Sequence, residues 1–302
     1  MNTMLDILRG RAGRISVEGC RLLKEFSGMH PKNKPGDSVV FISPSGNQFW
    51  NGLPPAGKQV QTQLLPEIDR FSELVRVLSR NLPTTAQQGL TDTLEQVRNA
   101  VEQSTSTWWK TPDEAVQGFR ELADGVVTTL AEYFGATTDT VLAIPDTNAL
   151  IANPDIEHWQ FDGFQQFQIV LTPTVLGELD KLKVNHRNQA VRDKATEVIR
   201  RIKEYRRRGI LQEGVPIVKD LITLRAIAPE PNMSQTLSWF DPNNNDDRFL
   251  ATAVEIIRDN LRSTVFLVTS DINMQNKAHM AGIPFREVPP EPVRQWNCTT
   301  TG

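Results

Sequence analysis

From Met1 to about Thr140, apolar residues recur at three- and four-residue spacing, the period of a helix with one buried face. The pattern predicts helices from Met4 to Phe26, near Gln61 to Ser79, from Thr85 to Gln103 and from Thr111 to Phe134. The last opens on Thr-Pro-Asp-Glu, a threonine cap with proline and acids in the first turn. After the first helix, His30 and its neighbouring prolines read as a loop. The β-branched run Ser38-Val-Val-Phe-Ile-Ser and the segment Gln48-Phe-Trp then predict a small hairpin around Pro44-Ser-Gly-Asn.

The pattern changes at Val141, where short apolar runs begin to alternate with helical stretches. Strands are predicted at Val141 to Pro145, Phe167 to Leu171, Leu221 to Ala228, Thr264 to Thr269 and Pro284 to Val288. Helices are predicted at Pro173 to Val184, Gln189 to Arg208, about Asp246 to Leu261, and Ile272 to Ala281. Alternation of this kind implies an α/β fold of three layers, α/β/α, around a mostly parallel sheet. The expected organisation is a mainly α-helical domain over 1–138, an α/β domain over 139–290 and a flexible tail over 291–302. In such sheets the site forms at the carboxyl ends of the strands.

Composition narrows the class. The chain has 302 residues, 39% hydrophobic and 23% charged, enough to bury two cores and unlike a disordered or collagenous chain. No stretch approaches the roughly 18 apolar residues that cross a bilayer, and the start lacks the apolar core of a signal peptide, so a cytoplasmic protein without a membrane partner is expected. Cys20 and Cys298 lie at opposite ends, which argues against a disulfide framework or a zinc site. A formal net charge of -3 makes the whole molecule no generic polyanion binder.

The chemistry gathers at strand ends. Two predicted strands run directly into aspartates, Asp146 and Asp271, a third acid, Asp246, opens a helix, and Glu178 sits one turn inside another. Each has a plain structural explanation, since aspartate is an expected helix cap worth about 1 kcal/mol and Glu178 fits a solvated helix face. Their convergence points elsewhere. Carboxylates crowded together repel unless a cation holds them ionised, and Mg²⁺ or Mn²⁺ prefers such oxygen ligands. An ion of this kind suits phosphodiester hydrolysis, because it polarises a phosphate oxygen and activates water for in-line attack. Of the neighbours Asp246 and Asp247, which diverge by about 100° on a helix, Asp246 is preferred as ligand and Asp247 as cap or supporting residue.

Residues 141 to about 288 resemble the PIN domain, a family of metal-dependent endoribonucleases. The resemblance is carried by Ile-Pro-Asp146-Thr-Asn148, by Glu178-Leu, by Asn-Asn-Asn-Asp246-Asp247-Arg-Phe-Leu-Ala-Thr-Ala and by Thr269-Ser-Asp271-Ile-Asn273-Met-Gln-Asn-Lys-Ala. It implies that Asp146, Glu178, Asp246 and Asp271 bind one or two divalent ions, with Asn148, Asp247, Thr269, Ser270 and Asn273 supporting the ligands or metal-bound water. The stretch from about Lys203 to Asn245 looks enlarged for the family, and the N-terminal half lies outside the resemblance.

Between Lys181 and Arg208 stand eleven basic residues against three acids. Lys181, Lys183, Arg187, Arg192, Arg200, Arg201, Arg206, Arg207 and Arg208 are the expected phosphate contacts of a nucleic acid, although a solvated helix face has the same composition. Trp159, Phe161, Trp239 and Phe240 are candidates for stacking on unpaired bases or for core packing, and Trp108-Trp109 for an interdomain or oligomer contact. The expected activity is a Mg²⁺- or Mn²⁺-dependent endoribonuclease acting on single-stranded RNA. The alternatives are a non-catalytic RNA-binding or scaffolding protein and a structure-specific DNA nuclease. The helical half would restrain, dimerise or target the nuclease, with a homo-oligomer or inhibitory partner, as in a toxin or defence system.

Overall fold

The computed structural model describes residues 3–31, 48–104, 106–134 and 140–291. The chain forms two compact units, Asn2–Ala136 and Thr137–Gly302.

In the first unit, α1 (Met4–Glu25) begins on a reciprocal cap in which the Thr3 hydroxyl accepts the Asp6 amide and the Asp6 carboxylate accepts the Thr3 amide. Strands β1 (Met29–Pro31) and β2 (Gln48–Trp50) pair antiparallel, and the sheet is completed after helices α2 (Pro55–Leu78) and α3 (Thr84–Glu102) by β3 (Ser106–Thr107). Helix α4 (Pro112–Tyr133) follows, capped by the Thr111 hydroxyl as its sequence implies. The helical faces are lined by Leu8, Leu22, Ile68, Leu94 and Phe119, all essentially inaccessible to water. Helices α1 and α4 pack closely: a Cβ at Gly19 would lie 2.1 Å from the Phe119 ring.

Two expectations change here. His30 lies on β1, its Nδ1 2.9 Å from Asn51 Oδ1, rather than in a loop. Gln48–Trp50 pairs with Met29–Pro31, while the expected hairpin arm Ser38–Ser43 lies outside the described residues. Helix α2 starts six residues before the expected Gln61, because Pro55 at its first position gives up only an amide that has no helical partner.

The second unit begins with β4 (Val141–Pro145), α5 (Thr147–Ala152) and β5 (Phe167–Leu171). Helices α6 (Pro173–Asn185) and α7 (Gln189–Arg206) lead to strands β6 (Val215–Val218) and β7 (Ile222–Ala226), then α8 (Asn245–Asp259), β8 (Thr264–Val268), α9 (Ile272–Ala281) and β9 (Phe285–Arg286). The sheet order is β6-β7-β5-β4-β8-β9, and every pairing except that of β6 with β7 is parallel. Strands β4 and β8 are buried along their whole length and, but for Thr264, apolar, which marks the centre of a sheet covered on both faces. From β4 the chain moves outward through β5 and β7, then returns to lay β8 on the other side. That reversal opens a crevice beyond the carboxyl ends of β4 and β8.

Trp159, Phe161 and Phe240 are buried core residues, and the Trp159 indole donates to the Asn153 carbonyl at 3.2 Å. Burial removes these three as base-stacking candidates, whereas Trp239 is exposed. No helix among the described residues is long and apolar enough to cross a membrane.

Candidate metal centre

Asp146 follows directly on β4, and its amide donates to Val268 at the end of β8, so the carboxylate sits at the switch point. Oδ1 accepts the Ala149 amide at 2.6 Å and caps α5. Oδ2 is buried and has no hydrogen-bond partner. The residue is therefore a cap through one oxygen and an unsatisfied acceptor through the other. Its pKa is pushed up to about 6, first by burial. The Thr269 hydroxyl, which acts on the carboxylate without meeting hydrogen-bond geometry to Oδ2, and the Ala149 amide pull it down, and the charges of Asp271 and Glu178 push it up again.

Glu178 is half-buried rather than solvated. Its Oε2 accepts the Thr147 hydroxyl at 2.5 Å and its Oε1 accepts the Asn245 side-chain amide at 2.8 Å. Asp271 caps α9, with Oδ1 accepting the Asn273 and Met274 amides, while its own amide donates to the Thr269 hydroxyl at 3.1 Å. Thr269 is fully buried; the Ser270 hydroxyl accepts the Val288 amide; Asn148 and Asn273 are exposed.

At the start of α8 the cap is Asn244, whose side chain accepts the amides of both Asp246 and Asp247. This corrects the expectation of an aspartate cap there. A carboxamide in the extended conformation just before the helix does the work, and both acids fall inside the first turn. Asp247 is buried and its Oδ2 accepts the Asp241 amide. Asp246 is half-exposed. Lys277 of α9 reaches both, with Nζ 2.8 Å from Asp247 and 3.6 Å from Asp246.

A connected series of contacts thus runs from Asp146 through Thr147 to Glu178, through Asn245 to the start of α8, and through Lys277 to the helix that Asp271 caps. Thr147, Asn245 and Lys277 were not singled out from the sequence, although all three lie in or beside its acidic segments. Which of several consecutive polar residues turns inward is decided by how the helices dock.

A hard divalent ion fits the donors present. Asp146 presents a buried, unpartnered carboxylate oxygen, Asp271 and Glu178 are near enough to raise its pKa, and all three offer oxygen alone. Among the described residues, the acidic group whose candidate ligand atoms all lie within 4.8 Å is a different one, Asp155, Glu157 and His158. Cations and donors of the fold already occupy it. Arg201 lies 2.8 Å from Asp155 and 3.6 Å from Glu157, and the Tyr205 hydroxyl donates to Glu157 at 2.7 Å. Burial would raise the Asp155 pKa, but hydrogen bonds from His158 and Arg201 outweigh it and hold the carboxyl below its usual range.

The basic segment divides in the same way. Arg201 is committed to Asp155, Glu157 and Glu197, Arg200 to Glu204, and Arg192 to the His186 carbonyl and the Gln189 side chain. Lys181, Lys183, Arg187, Arg206 and Arg207 have no acidic partner among the described residues, and Arg208 lies over the Tyr205 ring. Lys181 is one turn beyond Glu178 on α6.

Residues 143–288 match the family model described as the PIN domain. No curated protein matches the chain.

Proposed function

We propose, from the match of residues 143–288 to the PIN domain, a family whose members are generally metal-dependent nucleases, that the protein is a Mg²⁺- or Mn²⁺-dependent endonuclease that cuts single-stranded RNA. The observation that carries this reading is the unpartnered, buried Oδ2 of Asp146 at the switch point, with Glu178 and Asp271 acting on it electrostatically. In this reading Asp146, Glu178 and Asp271 hold the ion, and Asp246 contributes the fourth carboxylate of the cleft. The ion, when bound, polarises a phosphate oxygen and makes water a stronger nucleophile.

The chain's own groups aim the ligands. The Ala149 amide fixes Asp146, two amides of α9 fix one oxygen of Asp271, and Thr147 and Asn245 clamp both oxygens of Glu178. Carboxylates held this way need little reorganisation as charge develops on the phosphate. Lys181, Lys183 and Arg187 supply positive charge along α6 and just beyond it, and Arg206, Arg207 and Arg208 supply it at the end of α7. Contacts of that type fix a phosphate backbone without reading its sequence.

Attack of activated water on phosphorus, with the 3′ oxygen leaving, gives 5′-phosphate and 3′-hydroxyl ends. End-group analysis of the cleaved RNA tests this chemistry, and 2′,3′-cyclic phosphate ends would refute it. Turnover of flap DNA compared with RNA of equal length tests the substrate class, and faster cutting of the DNA would overturn the assignment to RNA.

A further inference from the structure

Lys277 is a cation built into the acidic cleft. Its Nζ lies 2.8 Å from Asp247 Oδ1 and 3.6 Å from Asp246 Oδ2, so one positive charge serves both carboxylates. The lysine side chain is only 26% exposed and that of Asp247 only 8%, so solvent screens their attraction weakly. Asp247 has little left to offer an ion, because its second oxygen accepts the Asp241 amide. The acids of the cleft therefore fall into two sets. Asp146, Glu178 and Asp271 have no basic side chain against them among the described residues, whereas Asp246 and Asp247 share Lys277.

We propose that Lys277 is the resident second cation of the site: it neutralises Asp246 and Asp247 in place of a second divalent ion, so the protein binds a single Mn²⁺ or Mg²⁺, at Asp146, Glu178 and Asp271. The proposal rests on the metal-site reading above and adds the number of ions to it. It also gives Lys277 a positioning role, since the ammonium ties α9, which Asp271 caps, to the start of α8, whose Asn245 orients Glu178.

The test is calorimetric titration of Mn²⁺ into the full-length protein, for wild type, Lys277→Met and Asp146→Asn. Methionine keeps the length and apolar character of the stem and removes the charge. The expected stoichiometry is one ion for wild type and two for Lys277→Met, with the second site lost again in the double variant Lys277→Met/Asp246→Asn. Two ions in wild type, or one ion in a folded Lys277→Met, overturns the proposal while leaving the metal site standing. Failure of wild type to bind any ion, or undiminished binding by Asp146→Asn, overturns the metal site itself. The wild-type count needs no variant, so the proposal stays testable even if Lys277→Met does not fold.

Discussion

Replacing Asp146 with asparagine should stabilise the metal-free protein near neutral pH. Asparagine keeps an oxygen for the Ala149 amide, so the cap of α5 survives, and it removes a charge that burial and two neighbouring carboxylates oppose. The folded pKa of about 6 lies above the ordinary aspartate value of 3.8. The folded state therefore binds the extra proton between those values, and stability falls as pH rises through that window. The full cost is present above about pH 6 and vanishes below about pH 4. The gap between those two values corresponds to at most about 3 kcal/mol for a residue only 5% exposed. Realising a third to all of it would raise the melting temperature of this unit by roughly 3 to 10 °C. Scanning calorimetry of wild type and Asp146→Asn in EDTA, at about pH 7.5 and about pH 4.5, reads the difference directly. The variant should gain stability near neutrality, and the gain should shrink in acid. A variant that melts several degrees lower at the higher pH would refute it, since the ionised carboxylate would then be stabilising the fold.

Other consequences follow from the same contacts. Thr147→Val removes a hydroxyl that orients Glu178 at 2.5 Å, so RNA cleavage should fall by about 10-fold or more with little loss of stability, and an unchanged rate would show that Glu178 needs no such clamp. Arg201→Ala leaves Asp155 and Glu157 without their cation and should destabilise the protein by about 2 kcal/mol, discounted for partial exposure. Arg207→Ala should change stability by no more than about 0.5 kcal/mol; equal melting shifts for the two arginines would contradict the division drawn between them. Substituting Lys181, Lys183 and Arg187 together by alanine should weaken RNA binding and lower the log–log salt slope by roughly 2, measured by filter binding over a salt series. An unaltered slope would place the phosphates elsewhere.

The elements that the sequence made legible are those with long, clean periodicity. Apart from the early start of α2, the period-3.6 helices and the apolar runs of β4, β5 and β8 lie within a few residues of their expected bounds. Strand β6 went unread because four residues containing Pro216 look like a loop, and an edge position beside a bulge is where a sheet tolerates proline. The short helix α5 offers too few residues to show a period. At the site, the strand-end positions of Asp146 and Asp271 could be read from the chain, whereas the contacts that surround them could not. Thr147 meets Glu178 across 31 residues of sequence, Asn245 meets it across 67, and Lys277 meets Asp247 across 30. The basic segment shows the same limit. Its composition is visible, but the commitment of Arg201 to Asp155, 46 residues away, is a product of α7 docking on the chain after α5.

The most direct test is cleavage of an end-labelled single-stranded RNA by full-length wild type and Asp146→Asn, each in EDTA, Mg²⁺ and Mn²⁺. Wild type should make internal cuts in either metal and none in EDTA, and the variant should make none under any condition. Intact RNA in every lane, or cutting that persists in EDTA or in Asp146→Asn, would contradict it.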